Sequence, residues 1–165
     1  MKMTSAMAAK ELKKLNEQHE ALLAKERKSA EFVAAIQENI ETVRPEYDYA
    51  AVQKALADTE QRIRALKHAV NRFNLTQTVP GFEMTIDQML IYIPQLSARK
   101  RKLEQMRDKL PRERAASYGS AGIIEYTYAN YDVKAAAADC DAVTDELSRA
   151  QNALDLVNST VEFEV

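Results

Sequence analysis

The fold class is decided by the stretch VKAAAADCDAVTDELSRAQNALDLVN, residues 133–158. Apolar or small residues recur in it at alternating steps of three and four, and we term such a row the seam of a helix. This seam comprises Val133, Ala136, Cys140, Val143, Leu147, Ala150, Leu154 and Val157. Three-four spacing over several heptads predicts a long helix that packs as in a coiled coil. Asp132, directly before it, is a good N-cap.

Two stretches nearer the N-terminus show the same spacing. The first covers residues 5–43 with Thr4 as its N-cap, and the second covers residues 47–76. The seam of the first comprises Ser5, Ala8, Leu12, Leu15, His19, Leu22, Glu26, Ser29, Val33, Ile36, Ile40 and Val43. The seam of the second comprises Tyr49, Val52, Leu56, Thr59, Ile63, Leu66, Val70 and Phe73. Both stretches are predicted to be long helices, the first roughly 60 Å in length.

A further stretch begins after Thr85, a candidate N-cap, and is less regular. Its seam comprises Ile86, Met89, Ile93, Leu96, Lys100, Leu103 and Leu110. Pro94 lies inside this stretch. Because proline removes a backbone donor and clashes with the preceding turn, we expect a kink there, with a break into two helices as the alternative.

Glycine and proline fall mostly in three joints between these stretches, at residues 44–48, 78–84 and 111–122. Short joints favour antiparallel neighbours. The chain is therefore predicted to be mainly α, with four long antiparallel helices forming coiled-coil hairpins or a bundle. We expect a single elongated helical domain, residues 1–165.

Two short segments have the alternation typical of β-strands. β-Branched and aromatic residues alternate with polar ones at residues 123–129 and 160–165, and period two predicts a strand in each. In the antiparallel arrangement Thr160–Val165 lies at the same end as Val79–Met84, and we expect these two segments to pair. The strand at 123–129 lies at the opposite end and is expected to lack a partner strand in its own chain.

The length of the first helix predicts self-association. If it folds back on the second helix at residue 46, Phe73 lies opposite His19 and the residues before Leu15 overhang. The overhang and the strand at 123–129 need cover, and another copy of the chain is the simplest candidate. The sequence thus favours a homo-oligomeric scaffold or interaction protein of unknown biochemical activity. A prefoldin-like holdase chaperone is an alternative by analogy.

Composition bounds the class of protein. Apolar residues make up 46% and charged residues 29%, with three Gly and four Pro, which is typical of long helices. The net charge of −2 favours neither nucleic acid nor an anionic membrane as partner. The longest apolar run, Met89–Ile93, is too short to span a bilayer, and residues 1–14 lack the apolar core of a signal peptide. A cytoplasmic location without a membrane partner is expected.

The order of scattered polar residues resembles a family of small bacterial proteins termed septicolysin-like. The residues that carry the resemblance are Asn71, Asn74, Thr76, Gly81, Met84, Thr85, Glu125, Asp132, Val133, Asn158 and Glu162. Pro94 and Ser159 depart from the family pattern, which continues the helix at the first position and commonly has tryptophan at the second. The resemblance implies a helical, oligomeric protein and supplies no active site.

No catalytic or metal-binding constellation is evident. His19 occupies a seam position and His68 lies outside the seam of its helix. A di-iron helical bundle needs Glu-x-x-His, but the third residue before each histidine is Asn16 or Ala65. Cys140 lies on a seam, where a small buried thiol is the default, and as the single cysteine it excludes an intramolecular disulfide. We therefore expect no enzyme, cofactor, metal or small-molecule substrate.

Charge is unevenly distributed near the C-terminus. Residues 99–114 hold eight basic and three acidic residues, a balance of +5, whereas residues 132–165 hold eight acidic and two basic, a balance of −6. We interpret this as charge pairing between neighbouring helices. The alternative is a nucleic-acid surface, with Tyr118, Tyr126, Tyr128 and Tyr131 for base stacking. The predicted interaction surface comprises Arg99, Lys100, Arg101, Lys102, Val161, Phe163 and Val165.

Overall fold

The computed structural model describes residues 1–115 and 124–165, so Tyr118 and Ile123 lie outside the described residues. Its helices are α1 (Ser5–Ser29), α2 (Ile40–Val43), α3 (Tyr49–Thr76), α4 (Ile86–Arg107) and α5 (Val133–Thr160). Its strands are β1 (Lys2–Thr4), β2 (Thr78–Val79), β3 (Met84–Thr85), β4 (Arg112–Arg114), β5 (Tyr126–Tyr128) and β6 (Glu162–Glu164). The prediction of a mainly α fold with four long helices and short β segments is confirmed.

All three predicted N-caps are present. Thr4 accepts a hydrogen bond from the Met7 N–H at the start of α1. Thr85 forms a capping box with Gln88, in which each side chain accepts from the backbone of the other. Asp132 accepts from two backbone N–H groups at the start of α5, those of Lys134 and Ala135. These caps satisfy donors that have no partner within the helix.

The predicted seams of the two longest helices are largely buried. In α5 every seam residue after Val133 is buried. In α3 the buried seam residues are Val52, Leu56, Thr59, Leu66 and Phe73. The three-four spacing read from the sequence therefore identifies the buried faces of α3 and α5.

Contacts divide the described residues into two compact units. The first unit comprises Met1–Leu75 and Asn158–Val165, and the second comprises Thr76–Val157. The expectation of a single domain stays a prediction.

A two-stranded antiparallel ribbon joins the chain ends in the first unit. Strand β1 pairs with β6, with Met3 opposite Phe163. The predicted pairing of 160–165 with 79–84 is wrong, because β2 pairs with β3 instead across a tight turn in which Gly81 has a φ of +82°. Strand β1 was not predicted, because its three residues are too few to show an alternation of apolar and polar side chains.

The core of the first unit lies beneath this ribbon. It comprises the buried residues Met3, Ala8, Leu15 and Leu66, against which Leu12, Ile63, Val70 and Phe163 pack. The ring of Phe163 stacks on Phe73, with centroids 4.6 Å apart and planes 21° apart. The expected overhang before Leu15 is therefore wrong, because the ribbon covers that part of α1.

Helix α1 ends at Ser29, which is 14 residues before the predicted end at Val43. It runs antiparallel to α3, since Glu11 pairs with Arg62 near one end of α1 and Glu26 accepts from Gln53 near the other. His19 consequently faces Glu60, at 3.2 Å, and the prediction that it faces Phe73 is wrong. The error follows from placing the reversal at residue 46, when it occurs within a longer connection of residues 30–48.

In the second unit α4 and α5 are antiparallel neighbours. Arg107, at the end of α4, lies 3.3 Å from Asp141, and Tyr92, near the start of α4, donates to Glu146 further along α5. The Tyr131 hydroxyl donates to the Met106 carbonyl. Helix α4 passes through Pro94 without interruption, so the alternative of two helices is wrong. The backbone carbonyl of Ile93 accepts from the Ser97 hydroxyl in the turn that contains the proline.

A second ribbon follows α4. Strand β4 pairs with β5, which places Arg112 opposite Tyr128 and Arg114 opposite Tyr126. The expectation that the segment 123–129 lacks a partner strand in its own chain is therefore wrong for its described residues. The sequence Arg-Glu-Arg of β4 has no apolar member, so it gave no strand signal.

Replacement of Phe163 by alanine should lower the free energy of unfolding by about 2 to 3 kcal/mol, because it removes a stacked ring and leaves a cavity over the core. Urea unfolding followed by circular dichroism measures this change. Phe163→Leu is the matched control, since it keeps apolar contact without the ring stack, and should lose about 1 kcal/mol. Wild-type stability in Phe163→Ala would show that the ribbon does not contribute to the core.

Candidate functional site

The predicted basic surface lies on α4 in the second unit. Arg99, Arg101 and Lys102 are exposed, whereas Lys100 is half-buried and pairs with Glu104 at 3.7 Å. Consecutive residues of a helix point about 100° apart, so these four side chains surround the helix and do not form one continuous face.

The apolar part of the predicted interaction surface lies in the first unit. Phe163 is partly buried in the core described above, and Val161 is also partly buried. Val165 lines a cavity of about 170 Å³ together with Met3, Leu15 and Leu66. These three residues, in β6 or directly beside it, belong to the first unit, whereas the four basic residues belong to the second.

Basic and aromatic side chains come together on the β4–β5 ribbon. The guanidinium of Arg112 lies 4.8 Å from the centre of the Tyr126 ring, a cation–π distance. The Tyr128 ring lies 6.4 Å from that of Tyr126 and is 63% exposed. A cavity of about 530 Å³ beside them is lined by residues that include Lys109 and Arg114. The sequence identified the tyrosines, but the pairing of β4 with β5 was needed to bring Arg112 to them.

The charge of this ribbon is mixed. The basic side chains of Lys109, Arg112 and Arg114 share it with the carboxylates of Glu113 and Glu125. The excess of positive charge is therefore small.

A different kind of surface lies in the α1–α3 connection, residues 30–48. Val33 is 95% exposed and Ile36 fully exposed, although both are strongly apolar. The other exposed large apolar residues of this connection are Phe32, Ile40 and Val43. Apolar side chains concentrated in one exposed segment are typical of a contact site. The prediction that the seam of the first helix includes Val33, Ile36, Ile40 and Val43 did not anticipate that these side chains are exposed.

The structure gives the surroundings of His19 and Cys140. His19 contacts Glu60, and no group of three or more His, Cys, Asp or Glu residues suited to a metal is found within residues 1–115 and 124–165. Cys140 is buried, with its Sγ 3.9 Å from the guanidinium of Arg107. The hydrogen bond to Cys140, followed by the charge of Asp141, raises the pKa of Arg107.

Two tyrosines that donate hydrogen bonds to carboxylates have raised pKa values. Tyr92 on α4 donates to Glu146 on α5, and this bond is the main cause, followed by burial. Tyr47 donates to Glu26, which lies 2.9 Å away, but burial is the main cause of its raised pKa. The Tyr92–Glu146 bond joins α4 to α5, and the Tyr47–Glu26 bond joins the α1–α3 connection to α1.

The described residues define a mainly α protein with short antiparallel ribbons and two exposed surfaces of contrasting chemistry. Comparison with protein-family models and with curated proteins finds no match. The fold is similar to the crystal structure of a functionally unknown conserved protein from Corynebacterium diphtheriae, with a TM-score of 0.60 and 17% identity. That similarity covers 99% of this chain and 100% of the other, and at this identity it shows the fold alone. None of the described helices has the length and apolar character needed to cross a membrane.

The Tyr92–Glu146 hydrogen bond predicts a pH-dependent stability. The pKa of Tyr92 is raised above the ordinary 10.0 in the folded protein, so this stabilisation is complete below about pH 10 and is lost as pH rises through the folded-state pKa. Between about pH 9 and pH 12 the wild type should therefore lose more stability than Tyr92→Phe. Urea unfolding across this range measures the two slopes. Tyr126→Phe, on the exposed ribbon, is the control and should follow the wild type; equal slopes for wild type and Tyr92→Phe would contradict the prediction.

Proposed function

We propose that this chain is a non-enzymatic scaffold or interaction protein that associates with itself. The observation that carries the proposal is the exposure of Phe32, Val33, Ile36, Ile40 and Val43 within one short connection. Complete burial of a Val, Ile or Phe side chain contributes about 1.5 to 3 kcal/mol, so a contact that covers several of them gains substantial free energy. The resemblance to the septicolysin-like family supports the same proposal, since it implies an oligomeric helical protein.

The proposal predicts that the protein in solution at micromolar concentration has the mass of two or more chains, each of 18.6 kDa. Size-exclusion chromatography with light scattering measures that mass directly. A monodisperse species of one chain mass would refute self-association. Dilution provides an internal control, because a specific oligomer dissociates to the single-chain mass as its concentration falls below the dissociation constant.

A second candidate function is binding of single-stranded nucleic acid. It is favoured by the β4–β5 ribbon, where Arg112 stacks on Tyr126 and Tyr128 is exposed. Bases stack on aromatic side chains without regard to sequence, and neighbouring cations hold the phosphates. The exposed Arg99 and Arg101 of α4 belong to the same unit and add positive charge.

This candidate predicts that a fluorescent oligothymidine binds with an affinity that falls as salt increases. Tyr128→Ala should weaken binding by about 1 to 3 kcal/mol through loss of a stacking platform. Tyr49→Ala is the matched control, because Tyr49 is an exposed tyrosine of the other unit. Replacing Arg99, Lys100 and Arg101 by alanine tests the contribution of α4. Fluorescence anisotropy that shows no salt-sensitive binding would remove this candidate.

A further inference from the structure

Helix α1 ends without any of the usual stop signals. Its C-cap, Ala30, has a helical backbone conformation, with φ −68° and ψ −30°. Helices commonly end at a glycine or shortly before a proline, yet the sequence contains neither between Ser29 and Pro45. The residues that follow, EFVAAIQENIETVR at 31–44, are compatible with a helix and include two alanines that favour one. The end of α1 is therefore not dictated by local sequence.

The end of α1 coincides with the end of its partner surface on α3. The side chain of Glu26 accepts a hydrogen bond from Gln53, and the two helices are antiparallel. Counting four residues on from Glu26 and four back from Gln53 places Ala30 beside Tyr49, the first residue of α3. A continued α1 would extend beyond the start of α3 and leave its seam in water. A short isolated amphipathic helix is marginal in water, because most helical stability in proteins comes from packing.

The seam itself continues beyond the point where α1 ends. Val33, Ile36, Ile40 and Val43 follow Ser29 at steps of four, three, four and three, in phase with the seam that α1 presents to α3. In the structure all four side chains are exposed, and only residues 40–43 are helical. The connection therefore contains a further four seam positions of an amphipathic helix, of which Val33 and Ile36 are almost completely exposed to solvent.

The residues beside this seam are compatible with an identical partner. Written as a helix, residues 30–40 place Ala30, Phe32, Gln37 and Asn39 next to the seam. All four are uncharged, and the acidic residues Glu31 and Glu38 lie on the outward side. Like charges beside a seam oppose the pairing of identical helices, so their near absence favours a second copy of the same segment as occupant.

From these observations we propose that residues 30–40 continue helix α1 when they pack against the same residues of a second copy. This rests on the proposed function of self-association and identifies the surface that performs it. The helix then advances about 15 Å beyond Ala30, and residues 41–48 are long enough to return to the start of α3. The contacts given up are local: the Asn39 side chain releases the N–H of Glu41, the Glu38 carboxylate releases the N–H of Ala35, and the single turn of α2 opens. The Arg44 guanidinium also leaves the Phe32 ring.

The surface is tested by Ile36→Lys, which places a charge in the middle of the proposed contact. Ala35→Lys is the matched control, because it introduces the same charge at an exposed neighbour that faces outward in the helix. In light scattering, Ile36→Lys should have the mass of a single chain, whereas Ala35→Lys should keep the wild-type mass. An oligomer that survives Ile36→Lys would overturn this inference and leave the proposed function standing; a monomeric wild type would overturn both.

The helical extension is tested by dilution and by Ala34→Pro. Circular dichroism at 222 nm should lose about a twentieth of the wild-type helical signal as the oligomer dissociates, because residues 30–39 leave the helix and only residues 41–43 become helical in exchange. Ala34→Pro keeps every apolar seam residue but prevents a continuous helix, so it should have the mass of a single chain. An oligomer in Ala34→Pro, or a helical signal that does not change on dilution, would overturn the extension even if Ile36→Lys dissociates.

Discussion

The structure depends on one constraint, which is that a helix with a narrow apolar seam persists only where another element covers that seam. Helix α5 buries its seam from Ala136 to Val157, and α3 buries most of its own. Helix α1 begins under the β1–β6 ribbon and ends where α3 can no longer accompany it. Intrinsic helix propensity differs by only a few tenths of a kcal/mol between most residues, whereas packing of a seam residue contributes about 1.5 to 3 kcal/mol, so packing decides the helix length.

The ribbon of the first unit shows how the ends of the chain satisfy this constraint. Pairing of Met3 with Phe163 brings the two ends together, and the Val165 N–H donates to the Met1 carbonyl beyond the strands. Each strand has three residues, and an isolated two-stranded ribbon is marginal in water. The Phe163 ring on Phe73 and the burial of Met3 therefore provide the stability that the backbone hydrogen bonds alone do not.

Much of this fold could be predicted from sequence, and the errors have a common cause. The seams and the caps Thr4, Thr85 and Asp132 are local patterns, and each was identified correctly. The end of α1 and the pairing of the strands depend on residues distant in sequence. The spacing in residues 33–43 indicates which side chains would share a helical face. It does not indicate whether another element covers that face.

The same distinction applies to the candidate sites. The basic stretch at residues 99–102 is conspicuous in sequence, yet a helix distributes its charges around the axis, and Lys100 already pairs with Glu104. The Arg112–Tyr126 contact is inconspicuous in sequence because it depends on the register of β4 against β5. The exposed seam of the α1–α3 connection is partly evident in sequence and partly dependent on the fold. Its spacing is evident in sequence, and only the position of α3 shows that the partner surface is absent from the first unit. An apolar helical face that its own unit cannot cover is the physical reason to look for its partner in another chain.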